Sequence, residues 1–117
     1  MKSKVFSGRN IVFAGFALIA AAVPLAGSVA QDAALTEEQV TQGRQLFGAN
    51  ACGACHTLAD GGGAGAVGPS LDGNAKLDVA LVTERITKGQ GVMPAFGAMM
   101  DEAQIQLLAR YVVHAKK

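Results

Sequence analysis

Cys52-Gly53-Ala54-Cys55-His56 is the stretch that decides how the rest of this chain is read. Two thiols three positions apart, with an imidazole directly after the second, form the spacing used for c-type haem attachment. Each thiol can add to a haem vinyl group as a thioether, and the histidine is then held where it can bind iron from one face. The pattern is short, so its weight depends on whether the surrounding sequence is organised for a bulky apolar group.

The segment before it points to export. Lys2, Lys4 and Arg9 precede an uncharged run from Asn10 to Gln31, apolar over most of Ile11 to Ala26. Ser28-Val29-Ala30 then places small residues at the −3 and −1 positions of a cut after Ala30. This is the layout of a signal peptide over residues 1–30, leaving 31–117 as the mature domain. The alternative is an uncleaved membrane anchor. The run is short of the ~20 residues a spanning helix needs, and Pro24 interrupts it.

Of ten basic residues, three lie in that leader, while all nine acidic residues lie beyond it, so the mature chain carries a formal −2. There is no basic face, no Trp and one Tyr, which argues against nucleic acid as a partner. An exported domain of this size buries only ~60% of its unfolded surface and normally relies on disulfides or a metal. A disulfide between Cys52 and Cys55 would close a tiny loop and add little. A buried macrocycle would add much more.

Thr36 with Gln39 three residues later is a capping box that opens a helix to about Gly48, with Val40, Gly43 and Phe47 on one face. Asp78 caps a second helix, Val79 to Lys88, closed by Gly89. Asp101 opens a third, to about Ala115, whose apolar stripe is Ile105, Leu108, Ala109 and Val112, with Leu107 and Tyr111 alongside. No period-two strand is legible. Residues 59–67 read as a flexible glycine loop. Gly63-x-Gly65-x-x-Gly68 matches a dinucleotide fingerprint formally, but no strand precedes it and Pro69 follows where a helix should open. The expectation is an all-α domain whose long loops wrap something.

Two other roles for the cysteines remain at this point. A thioredoxin-like site wants strand–helix alternation, which is absent. A zinc site could use Cys52, Cys55, His56 and His114, but His114 sits at the end of the last helix and is expected to be solvated. With haem, the second axial ligand must come from elsewhere. Met93 stands between glycines and before Pro94, which constrains it to extended backbone. A thioether there fills the sixth site and raises the potential. Met99 and Met100 read better as core filler.

Taken together, the mature chain resembles the class I bacterial cytochromes c over nearly its whole length. The resemblance rests on Gly43 and Phe47, Cys52 to His56, Gly68-Pro69-Ser70-Leu71, Met93-Pro94, and Leu108 with Tyr111, in that order. It implies that Gly43 and Phe47 pack against Leu108 and Tyr111 where the terminal helices cross. It implies that Pro69 offers its carbonyl to the ring N–H of His56 and that Leu71 lines the haem pocket. The chain departs from the pattern in one extra residue between Phe47 and Cys52, in its long glycine loop, and in lacking a Trp for a propionate.

The expected function is a monomeric periplasmic electron carrier with one haem c and its iron; a compartment like the thylakoid lumen would also fit. Its partners would be redox proteins: a dehydrogenase, reductase, oxidase or photosynthetic complex. With both axial sites filled, no substrate reaches the iron, so no enzymatic activity is expected. The alternative is a haem protein with a labile sixth site that binds a small ligand or catalyses redox chemistry.

Overall fold

Thr36 begins the ordered architecture of the computed structural model, which describes residues 33–117; the expected leader over 1–30 lies outside the described residues. Helix α1 is Glu37–Ala49. The Thr36 hydroxyl accepts from the Gln39 N–H at 3.2 Å, and the Gln39 side chain accepts from the Thr36 N–H at 3.0 Å. Two orphan donors of the first turn are thus satisfied reciprocally. Asn50 stops the helix, its side-chain amide donating to the Leu46 carbonyl at 2.8 Å. Ala51 follows at φ 53, a left-handed position that is costly for any residue with a Cβ. Here the chain turns from the helix into a 3₁₀ turn, Cys52–Ala54.

Sequence reading expected no strand, yet β1 (Thr57–Leu58) pairs antiparallel with β2 (Gly63–Ala64) around a 3₁₀ turn at Ala59–Gly61. Two residues per strand are too few for alternation to register, so periodicity has nothing to detect. Helix α2 is Val79–Lys88, with the Asp78 carboxylate accepting from the Leu81 N–H at 2.8 Å and Gly89 as its cap. A third 3₁₀ turn at Phe96–Ala98 leads to helix α3, Glu102–Ala115, opened by a second capping box between Asp101 and Gln104.

Helix α3 is the spine, and both α1 and α2 pack on it. Phe47, Leu58, Leu108 and Tyr111 are the largest fully buried side chains. A Cβ on Gly43 would collide with the Tyr111 Cβ, so glycine lets α1 and α3 touch backbone to side chain. Phe47 and Tyr111 meet edge to face, centroids 6.3 Å apart. Among the described residues no polar or charged side chain is buried in this core. Met100 is buried as core filler, but Met99 is not: it ends the 3₁₀ turn 62% exposed. Past α3, the Lys116 ammonium donates to the carbonyls of Asn74 and Leu77 at 2.8 and 2.6 Å, tying the chain end to the 72–77 loop. No helix among the described residues is long and apolar enough to cross a membrane.

Candidate functional site

Between α2, α3 and the two glycine-rich loops lies an apolar cavity of about 810 Å³. Cys52, Cys55 and His56 line it on one side; Pro69, Leu71, Val82, Ile86, Met93, Leu108 and Val112 also form its wall. All six residues singled out from the sequence are therefore gathered around one space. His114 is exposed, and among the described residues no cluster of His, Cys, Asp or Glu is arranged to hold a metal, so the four-ligand zinc set is not assembled.

Both thiols are free. Cys55 is exposed and Cys52 is half-buried, where burial pushes its thiol up to about 11. Cys52 therefore stays protonated at neutral pH. The 3₁₀ turn that carries the pair is closed by Cys55 and His56 N–H groups, both donating to the Cys52 carbonyl at 3.1 and 2.9 Å.

His56 is oriented from two sides. Its Nδ1 lies 2.8 Å from the Pro69 carbonyl oxygen. A carbonyl only accepts, so Nδ1 carries the proton and Nε2 keeps a free lone pair for a metal. A Cβ on Gly68 would collide with the His56 ring, so that residue presses its bare backbone on the imidazole. The expected Pro69–His56 bond is thus present, and Gly68 supplies a second restraint that sequence reading passed over.

The glycine loop, whose composition suggests flexibility, is closely packed against the attachment turn. A Cβ on Gly63 would strike the His56 carbonyl, one on Gly65 the backbone of Ala54, and one on Gly53 would sit 2.8 Å from the Gly63 Cα. The Gly65 N–H donates to the Gly53 carbonyl at 3.0 Å, and the Gly68 N–H to the Cys55 carbonyl at 2.8 Å. The loop is a backing plate laid against the Cys52–His56 turn, and its glycines are required by contact distance, not by flexibility.

Its outer end is fastened by a cluster the sequence did not disclose. Arg44 donates to both Asp60 carboxylate oxygens at 3.1 Å, and the Tyr111 hydroxyl donates to Oδ2 at 2.6 Å. The Tyr111 and Arg44 hydrogen bonds hold the Asp60 carboxyl below the usual range. Burial, then Asp60, pushes the Tyr111 phenol well above its usual value. Arg44 and Tyr111 lie 16 and 51 positions from Asp60, separations at which no local pattern can show.

The methionine loop is built differently. Gly89, at φ 67, brings its backbone against the Met93 carbonyl, where a Cβ would collide. Gln90 and Met93 exchange backbone hydrogen bonds of 3.1 and 3.0 Å. Met93 is half-buried against the core cluster.

The residues present fit a haem. The space is large and apolar, two free thiols and one imidazole with an available Nε2 stand on its wall, and a thioether completes the lining. Comparisons with known proteins agree. The family described as "Cytochrome C oxidase, cbb3-type, subunit III" matches residues 38–112. The chain is 30% identical to a cytochrome c6 of Synechocystis sp., covering 94% of this chain and 92% of that one. It is 41% identical to a cytochrome c6 of Leptolyngbya boryana over 61% of this chain and 86% of the other. The crystal structure of the c-type cytochrome SorU from Sinorhizobium meliloti superposes with a TM-score of 0.61 at 36% identity, covering 68% of this chain and 93% of that chain.

Proposed function

The chain belongs to the class I c-type cytochromes, with haem c joined through Cys52 and Cys55, and from this premise we propose that it is an exported electron carrier ligating iron through His56 and Met93. The group supplies one-electron exchange between ferric and ferrous iron. The protein's part is to hold that group, fix its ligands and exclude water.

The observation that carries this reading is the free Nε2 of His56, set by the Pro69 carbonyl at 2.8 Å, beside an apolar cavity that Met93 also lines. Pro69 and Gly68 hold the imidazole in one tautomer and one orientation. Leu71, Val82, Ile86, Leu108 and Val112 keep the space dry, which favours the less charged ferrous state and so raises the potential. Met93 would offer its thioether to the remaining iron site and so deny that site to substrates, which supports a carrier rather than an enzyme. Val67 and Val92, 69% and 84% exposed, sit on the cavity rim and give redox partners a small apolar surface for brief encounters.

Residues 1–30 act as a cleaved leader, delivering a monomeric carrier to the periplasm or a lumen-like compartment. N-terminal sequencing of the mature protein is expected to begin at Gln31; a chain that still begins at Met1 would mean a retained leader. The carrier reading is tested by mixing the reduced protein with carbon monoxide. No rapid binding is expected. Rapid, saturable binding would put the labile-site alternative in its place.

A further inference from the structure

Arg85 is the one charged residue among those lining the cavity. Its surroundings offer no counter-charge. The cavity wall contains no acid, and the helical neighbours three and four positions away are Val82, Lys88, Leu81 and Gly89. The nearby acid of α2, Glu84, is already paired with Lys88 at 3.3 Å. Among the described residues Arg85 makes no ion pair, while it is only partly exposed.

A guanidinium cannot shed its charge, and setting one on the wall of an apolar space without a partner is unfavourable. Such an arrangement is stable when the occupant of the space brings the anion. A guanidinium matches a carboxylate with two parallel hydrogen bonds. Haem carries two propionate carboxylates on an otherwise apolar ring. We propose that Arg85 binds a haem propionate and helps set the midpoint potential. This inference rests on the haem site proposed above. It supplies the propionate contact for which the sequence, lacking a Trp, offered no candidate. Arg85 then neutralises a carboxylate that would otherwise stabilise ferric iron, so it favours the ferrous state.

The test measures the midpoint potential of the haem-loaded protein at neutral pH in four forms: wild type, Arg85→Gln, Arg85→Lys and Lys88→Gln. Lys88→Gln removes the same charge from the exposed side of the same helix and serves as control. Arg85→Gln is expected to move the ferric/ferrous equilibrium about tenfold toward ferric, which is a fall of about 59 mV for one electron. Arg85→Lys is expected to recover most of that shift, and Lys88→Gln to change little. If Arg85→Gln shifts the potential no more than Lys88→Gln does, Arg85 merely runs its stem along the wall with its head in water, and the proposal falls. A nuclear magnetic resonance spectrum of ¹⁵N-arginine-labelled wild type gives a readout independent of any variant's folding. One slowly exchanging Nε–H, with an Overhauser contact to the propionate methylenes, is expected; its absence would overturn the assignment. Recording the sulfur–iron charge-transfer band on the same wild-type sample separates the two readings: losing the band would count against Met93, not against Arg85.

Discussion

Two glycine-rich arms wall the cavity, and they are held in opposite ways. The histidine arm, residues 59–69, is fastened to the attachment turn by backbone and side-chain hydrogen bonds: Gly65 to Gly53, Gly68 to Cys55, Thr57 to Gly65 and His56 to Pro69. Its far end is locked by Arg44, Asp60 and Tyr111. The methionine arm, residues 89–95, closes on itself through the Gln90–Met93 backbone pair and exposes Val92. The difference teaches which of the two side chains the protein itself orients. His56 is oriented by the protein before any cofactor is considered. Met93 sits in a short hairpin-like loop held by its own Gln90–Met93 backbone pair and by the close approach of Gly89. Hydrogen exchange should sharpen this contrast: the amides of Gly65 and Gly68 are expected to exchange more slowly than those of residues 91–92.

The largest effect should come from breaking the tight arm. In Gly68→Ala the new methyl collides with the imidazole. We expect a loss of about 3 kcal/mol in denaturant unfolding of the haem-loaded protein. A perturbed His56 environment should appear in the same sample's spectrum. Unfolding within about 0.5 kcal/mol of wild type would show the arm is looser than drawn.

Tyr111→Phe removes the hydroxyl that donates to Asp60 at 2.6 Å. A hydrogen bond to a charged partner contributes about 2 kcal/mol, and a loss of that order is expected in unfolding. The pH dependence has a definite sign. The folded protein holds the Asp60 carboxyl below its unfolded value, which is near 3.9. Its contribution is therefore present above about pH 4 and disappears as pH falls through the lower folded value. The stability difference between wild type and Asp60→Asn should be full at pH 6 and shrink below pH 4. Part of it is screened because Asp60 and Arg44 are partly exposed.

On the methionine arm, Gly91→Ala meets nothing within contact distance but must hold φ 59. We expect a cost of about 1 kcal/mol from the left-handed backbone alone, a third of the Gly68→Ala effect. Equal costs at the two glycines would erase the comparison. The smallest change is a gain. Ala51 sits at φ 53, and Ala51→Gly should stabilise by about 0.5 kcal/mol, relief of strain less the added entropy of the unfolded chain. A raised thermal midpoint checks it.

What could be read in the sequence was whatever local chemistry dictates. Thr36 with Gln39, Asp78 with Gly89, and Asp101 announced where the helices open and close, because caps satisfy orphan backbone groups within a few residues. The Cys52–His56 spacing and Met93-Pro94 are likewise local patterns, and the structure places both on the wall of one cavity. Hidden from view were contacts closed only by the fold. The glycines at 63 and 65 looked like flexibility because their neighbours across the turn are not their neighbours in the chain. Asp60 looked like one acid in a loop until Arg44 and Tyr111 met it. Ala51 takes, just before Cys52, a left-handed turn that no propensity favours.

The account stands most directly on Met93. The measurement is the ferric absorption spectrum of Met93→Ala beside that of the wild type, both with haem still covalently attached. The wild type is expected to show the sulfur–iron charge-transfer band and the variant to lose it, with a lowered midpoint potential. A variant that keeps both band and potential would show that the sulfur on iron is not that of Met93.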